Sequence, residues 1–395
     1  MNLSPPKVEK RPSGMSDHDY VEHYRRQGPV AIDRYGFYWI FSHAHMLTVT
    51  DPALTRQVET EKLPLLGITD GPIWEYFANS LLFSNGAVHA KRRRPLARAF
   101  AFRVMDGLRP RIRAIAEELI RPHLGAETDI LNQIAGPLPA RIVADVLGAP
   151  QKDIPRFSAM VYPAMRALSL RPSEDIATDA KSLAALDNYI VDLLEARRND
   201  PQDDFLSTFV TEVDEAGLTA DEARVQISSV ILAGSDTTRM ALCSTLAQLW
   251  RHPDQWAAFV ANPDGLKKDV AAEGLRFDPV IGSLPRVALQ DFELDGVTIP
   301  KDAVIAPIIP AILRDPDVYA APDRFNIHRK DHPRYHPVFG AGAHRCLGEA
   351  LARAELEEAL AAFATLTPAA ELITPPNLSG VSGARAIDGM SARLG

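Results

Sequence analysis

The chain has 395 residues, 46% of them hydrophobic, which is ample for a large buried core. It carries 51 carboxylates against 43 lysines and arginines, a formal charge of -8, and that acidic balance argues against general nucleic-acid binding. Only two cysteines occur, Cys243 and Cys346, far apart in sequence, a count that argues against a disulfide scaffold and fits a reducing compartment. Met1 to Gly14 is polar with no hydrophobic signal core, and no stretch approaches the roughly 18 to 20 apolar residues of a membrane span. A soluble, cytoplasmic protein is therefore expected.

Residues 1–14 read as a flexible lead. Two short strand-like runs follow, Val30 to Asp33 and Phe37 to Phe41, turning about Gly36. From Ala87 to about Gly265 almost every segment reads as helix, including Arg111 to Leu124, Ile130 to Leu147 and Ala180 to Arg198, separated by Pro or Gly. The clearest helix starts at Thr219, where Thr219 and Glu222 form a T-x-x-E capping box. Its periodicity continues to Trp250 and Arg251, and His252-Pro253 stops it. At about 1.5 Å per residue this helix is on the order of 50 Å long.

In mid-course the long helix carries Ala233-Gly-Ser-Asp-Thr-Thr238. Gly adds backbone entropy and the short polar side chains compete for backbone hydrogen bonds, so a local groove is expected, with a harmless solvated kink as the alternative. Glu273-Gly-Leu-Arg276 places a carboxylate and a guanidinium at i and i+3, a spacing that is common on helix surfaces. Beyond Phe277, strand-like pieces such as Phe292 to Ile299 and Val304 to Ile308 alternate with Pro-rich turns, and a last helix runs from about Leu347 to Leu366. There is no repeat, low-complexity segment or charged linker. A single domain over 1–395, mainly α with a minor β portion, is the simplest architecture.

The densest chemistry lies in His336-Pro-Val-Phe-Gly-Ala-Gly-Ala-His-Arg-Cys-Leu-Gly348. Gly340 and Gly342 permit a tight turn and close backbone approach to a flat ligand. Cys346 then sits at the mouth of a helix, where the dipole and free N–H groups favour a thiolate; Phe339 can shield the sulfur and Gly348 keeps the helix start slim. A structural buried cysteine or a His/Cys zinc half-site are the plain alternatives. Zinc needs about four ligands, however, and the other cysteine is remote.

Phe339-Gly-Ala-Gly-Ala-His-Arg-Cys-Leu-Gly348 resembles the F-G-x-G-x-H-x-C-x-G signature of the cytochrome P-450 superfamily of haem-thiolate monooxygenases. The resemblance implies the P-450 fold, with haem b between a long central helix and the cysteine-loop helix. It makes Cys346 the axial iron ligand and puts His344 on a haem propionate. Ala233-Gly-Ser-Asp-Thr237 is similar to the family's A-G-x-[DE]-T oxygen-binding groove, which implies that Asp236 relays protons and Thr237 stabilises the activated oxygen. Ala233 and Gly234 would face the haem. Glu273 and Arg276 match E-x-x-R, and Pro322-Asp-Arg-Phe325 resembles P-x-R-F, so Arg324 is expected to join them in a buried structural triad. His89 and Arg93, in an H-x-x-x-R spacing, and Arg286, about ten residues past the E-x-x-R helix, are implied propionate partners.

Along the run Lys91 to Arg94, Arg93 is expected to point inward and Lys91, Arg92 and Arg94 outward. The resemblance covers nearly the whole chain in order, with two departures. Asn85-Gly-Ala-Val replaces the usual Asp-Pro-Pro-Glu before the first His, and Leu313 replaces an Asn before Arg314-Asp-Pro.

The function implied is dioxygen activation and hydroxylation, or other oxidation, of a small hydrophobic substrate. Electrons would come from an external acidic ferredoxin, docking at Lys91, Arg92, Arg94 and Arg345. By family analogy the pocket is lined by the loop before His89, the Phe157 to Leu170 region, the long helix, the stretch after Arg276 and the C-terminal loop, with Trp74, Phe77, Leu81, Leu232, Ala233, Val280 and Ile281 as candidates. A monomer without a membrane anchor is expected. The alternatives are a peroxide-dependent oxidase or a non-oxygenating isomerase or dehydratase on the same scaffold, a non-enzymatic haem sensor or carrier, and a helical protein without haem.

Overall fold

The computed structural model describes residues 4–61, 63–97, 100, 102–168 and 176–395. Helices dominate and strands are short. Where the sequence suggests one domain, the chain divides into two compact units. The first comprises residues 1–58, 243–346 and 374–390; the second comprises 59–242, 347–373 and 391–395. The division falls inside the long helix Ala220–Arg251, between Leu242 and Cys243. Among the described residues no helix is long and apolar enough to cross a membrane.

The first unit is built on a five-stranded sheet ordered Val30–Ile32, Tyr38–Ile40, Val304–Pro307, Arg286–Ala288, Thr55–Gln57. The first two strands form the expected hairpin, with Val30 opposite Ile40 and Gly36 turning at φ +82°. Alternation along these strands sorts two cores. Val30, Ile40, Val49, Ala288 and Ile305 pack together, while Ala31, Trp39, Phe41 and Ala306 join Tyr20 and Tyr24.

Val8 belongs to that second core, and its N–H donates to the Ile32 carbonyl at 2.7 Å. Residues 6–8 are therefore tied down within the expected lead: Pro6 and Val8 pair with Ile32 at the open edge of Val30–Ile32, whose backbone groups need partners. Phe292 to Ile299 is likewise not one strand but a hairpin of Phe292–Leu294 and Val297–Ile299. Asp295 and Gly296 both take positive φ (45° and 80°), the conformation that Asp-Gly favours in a tight hairpin turn.

The second unit is helical. The segment expected as one helix from Ile130 to Leu147 is a π-helical turn, Leu131–Ala135, followed by Pro137–Val146. Pro137 supplies no N–H and Gly136 donates back to Leu131 O at 2.8 Å, so the register shifts there. The strand Glu127–Asp129, paired with Ser391–Arg393, is too short for alternation to reveal.

The long helix begins as the capping box requires: Thr219 N–H donates to Glu222 Oε2 at 3.0 Å and Glu222 N–H to Thr219 Oγ1 at 3.1 Å. The helix after the cysteine, Glu349–Leu366, is tied to Arg109–Ile120 by ion pairs. Arg109 reaches Glu357 (2.8 Å) and Glu358 (3.1 Å), and Arg113 reaches Glu358 (3.5 Å).

Candidate active site

Within the first unit, the cysteine loop is two short 3-10 turns, Pro337–Phe339 and Gly342–His344, each preceded by an extended residue. Gly340 (φ +71°) and Gly342 (φ +62°) adopt the left-handed conformations that the sequence anticipates. Cys346 N–H donates to Phe339 O at 2.8 Å, which closes the loop over buried Phe339. Arg345 donates to Gly340 O at 3.0 Å and lies 4.9 Å from the Tyr335 ring. The Cys346 thiol is exposed, whereas Cys243 is buried in the long helix. Among the described residues no group of three or more His, Cys, Asp or Glu is placed to hold a metal ion.

The helix Pro263–Phe277 braces this loop. Glu273 and Arg276 are fully buried and form two parallel bonds, Nε to Oε2 at 2.7 Å and Nη2 to Oε1 at 2.8 Å. The third member differs from the one expected. Arg324 is exposed and contributes only its carbonyl, which accepts from Arg276 at 3.1 Å and Arg329 at 3.2 Å. Buried Arg329 supplies the second guanidinium, with Nε 3.2 Å from Glu273 Oε2.

Together the two arginines donate to the carbonyls of Leu313, Ala320, Ala321, Pro322 and Arg324, a set the P-x-R-F spacing cannot reveal. His336, whose Nε2 lies 3.3 Å from Ala272 O, carries the brace to the cysteine loop.

Arg286 is buried on its strand, and its guanidinium donates to Thr55 Oγ1 (3.0 Å), Thr55 O (3.2 Å) and Gln57 Oε1 (3.4 Å). All three acceptors are neutral, and burial alone pushes its pKa down to about 10. Among the described residues this buried cation faces neutral acceptors, an arrangement that leaves its charge able to receive an external anion. An exposed thiol on a glycine-shaped loop and a cation prepared for a carboxylate together fit a haem with its propionates.

Val280 and Ile281, also in this unit, pair with the C-terminal loop: Val280 O accepts from Arg385 N–H at 2.9 Å, and Ile281 bridges Ala384.

Within the second unit, His89 is buried and shares a face of the helix Gly86–Ala97 with Arg93. Burial first, and then the Arg93 charge, hold its imidazole below the usual histidine range. Arg92, expected to face outward, is instead buried, donating to Glu222 Oε1 at 3.0 Å and Ala78 O at 3.0 Å. Successive helix residues turn by about 100°, so placing Arg93 on the face of His89 swings Arg92 toward the long helix.

The long helix stays α-helical through Ala233–Thr238, so the expected groove is no break in the backbone. It is a surface feature: Ala233 is exposed and Gly234 half-buried, between fully buried Leu232 and Ser235. Thr237 Oγ1 donates to Ala233 O at 2.8 Å, the back-bond typical of threonine in a helix. Asp236 is buried, and its Oδ1 accepts from Arg239 Nε at 2.8 Å; the Arg239 guanidinium stacks 3.9 Å from the Tyr162 ring. Tyr162 falls within the expected Phe157 to Leu170 wall; Arg239 was not among the expected site residues, though the i, i+3 spacing from Asp236 could have flagged it.

Among the expected pocket residues of this unit, Trp74 is half-buried, while Phe77 and Leu81 are buried. Phe77 stacks on Phe83 with centroids 4.1 Å apart. Residues 169 and 170 of the expected Phe157 to Leu170 wall lie outside the described residues.

A family model described as cytochrome P-450 matches residues 156–260 and 266–364. The plant-inducible cytochrome P-450-pinF1 of Rhizobium radiobacter is 36% identical over 384 residues, covering 95% of this chain and 90% of that protein. The erythromycin C-12 hydroxylase of Saccharopolyspora erythraea is 32% identical over 366 residues, 90% of each chain. Among solved structures, the open cytochrome P-450 EryK from S. erythraea superposes with a TM-score of 0.82 at 29% identity, covering 96% of this chain and 95% of that one. The chain belongs to the cytochrome P-450 family. It is a haem-thiolate monooxygenase of the bacterial type.

Proposed function

We propose that the Cys346 thiolate would hold the haem iron and that the enzyme activates dioxygen to hydroxylate, or otherwise oxidise, a small hydrophobic substrate. The observation that carries this reading is the cysteine loop itself, an exposed thiol fixed by two left-handed glycines and the Cys346-to-Phe339 bond. In this reading Arg286, His344, His89 and Arg93 hold the propionates, and Ala233, Gly234, Phe339, Gly340 and Gly348 let the protein approach the ring. When bound, the haem supplies oxygen activation and transfer of one oxygen atom.

The remaining work falls to the chain's own side chains. Thr237 releases its bond to Ala233 O and presents its hydroxyl on the exposed groove, as donor or acceptor. Asp236 keeps Oδ1 on Arg239, which leaves Oδ2 to carry a proton between solvent and that hydroxyl. Such a relay suits dioxygen chemistry, which consumes protons; a peroxide user or a passive haem carrier has less need of it. Trp74, Phe77, Leu81 and Leu232 supply apolar surface for the substrate, as do Val280 and Ile281. Replacing Cys346 with Ser or His should abolish the red-shifted Soret band of the reduced carbon monoxide complex. Survival of the band would assign the iron to another ligand, with Cys243 the other thiol.

Electrons are taken to come from an external acidic ferredoxin, at a basic surface smaller than the sequence suggests. Arg92 is buried, Lys91 pairs with Glu222 at 3.4 Å, and Arg94 lies 3.6 Å from Glu215. Arg345, next to the cysteine in sequence, and exposed Arg334 both lie over the Tyr335 ring, at 4.9 and 5.3 Å. Arg334→Glu should raise the ferredoxin concentration needed for half-maximal turnover and flatten its salt dependence. Unchanged values for both would rule out docking at this surface.

A further inference from the structure

One stripe of the long helix, at i, i+4, i+7 and i+11, carries Glu222, Gln226, Ser229 and Ala233, and Thr237 lies one turn further on. Its upper part is polar and buried although it faces protein, which is costly unless each group has a partner.

The partners form a continuous set on the turn that ends the helix Gly71–Asn79 and starts the 3-10 turn Leu81–Phe83. Arg92 Nη1 donates to Ala78 O at 3.0 Å and, more weakly, to Ser80 O at 3.4 Å. Gln226 donates to Asn79 O at 2.8 Å and accepts from Leu81 N–H at 2.8 Å. Ser229 Oγ lies 2.9 Å from Ser80 Oγ. Four consecutive residues, Ala78 to Leu81, are thus each held by a buried side chain. Glu222, already engaged in the capping box, fixes Arg92 through its Nε at 3.0 Å. Further back, Arg224 reaches Glu75 at 3.2 Å.

We propose that Gln226 and Arg92 are positioning residues that pin the 78–81 turn to the long helix about two turns before Ala233, and that they thereby set the bulk of ligand the groove accepts. The inference rests on the reading of Ala233 and Thr237 as the oxygen-side groove. All five of these bonds hold backbone or Ser80 in place rather than touching any ligand, so the device fixes the position of Phe77 and Leu81 without contributing chemistry. A short, directly anchored turn of this kind keeps a wall rigid, because moving it breaks several bonds at once.

The test uses the haem-loaded protein with Gln226→Leu, which removes both amide bonds at similar volume, and Ser229→Ala, a milder change that removes one hydroxyl contact. Amide hydrogen exchange over residues 71–83 should accelerate on the order of tenfold in Gln226→Leu and less in Ser229→Ala. Exchange in Arg109–Ile120 should be unchanged. The affinity for 4-phenylimidazole relative to imidazole, read from the Soret shift, should change about fivefold or more in Gln226→Leu, with the reduced carbon monoxide band intact. Unchanged exchange over 71–83, or an unchanged affinity ratio despite faster exchange, would overturn the proposal alone. If neither azole shifted the Soret band of the unaltered protein, the active-site reading would fall and this inference with it.

Discussion

At Glu273 two guanidinium groups converge on one buried carboxylate, and the side chain that completes the set is Arg329 rather than Arg324. The difference can be measured. Arg329→Ala takes the side-chain donor from the Ala320 carbonyl, one of two donors from the Ala321 carbonyl and the second guanidinium from Glu273, so it should cost about 3 kcal/mol of unfolding free energy. Arg324→Ala keeps the carbonyl that the other two arginines use and removes only an exposed side chain, for a cost within about 0.5 kcal/mol. Chemical denaturation of the haem-loaded variants decides it, and equal losses would restore Arg324 to the triad.

The sequence alone could not make this choice. Which of two nearby arginines reaches inward depends on the turn around Phe325 and Asn326, whose N–H binds Glu273 at 2.7 Å. The cysteine loop was legible because its chemistry dictates residue identity at many successive positions. Arg92 was not, because its partner Glu222 is distant in sequence and nothing local announces it.

At the scale of elements, helix packing depends on absent atoms as much as present ones. Gly274 lies where Pro263–Phe277 meets the C-terminal part of the long helix, and a Cβ there would run into the Thr245 side chain, 2.8 Å from its Cβ. Gly274→Ala should therefore lose about 1 to 3 kcal/mol, although alanine is intrinsically the better helix former. Thermal unfolding checks the sign, and a stabilised variant would show that the helices can separate at no cost.

The E-x-x-R spacing flags Glu273 and Arg276, but the glycine between them carries this second constraint, which no spacing rule detects. Helices with caps and clear periodicity were readable from sequence, the long helix best of all. Three-residue strands and the π turn at Leu131–Ala135 were not, since a repeat that short leaves no pattern.

For the molecule as a whole, pH acts through histidines kept neutral. Burial lowers the pKa of His18, against the raising effect of its bond to Asp278 and with further lowering by Arg314 and Arg385. Burial likewise lowers His332, with Glu273 opposing and Arg276 and Arg329 assisting. Asp278 is held at about 2: burial alone would raise it, and the His18 and Gln248 bonds and the Arg385 charge more than offset that.

Below the ordinary histidine value of 6.5 the unfolded chain therefore binds more protons than the folded one. The stability these two histidines confer is complete above that pH and drains away as the pH falls toward their folded values. Unfolding free energy measured from about pH 7.5 down to about pH 5 should decline, and His18→Gln should show a shallower decline. Parallel slopes would mean that His18 titrates normally in the fold.

The arginine brace has a consequence for how this chain can drift. Arg276 and Arg329 read the carbonyls of residues 313, 320, 321, 322 and 324, atoms that every amino acid possesses. Randomising the exposed positions Asp317, Ala320 and Asp323 should leave the brace intact, whereas deleting one residue between 313 and 324 would displace every acceptor past the gap. The segment before the cysteine is thus policed for its length and indifferent to much of its spelling.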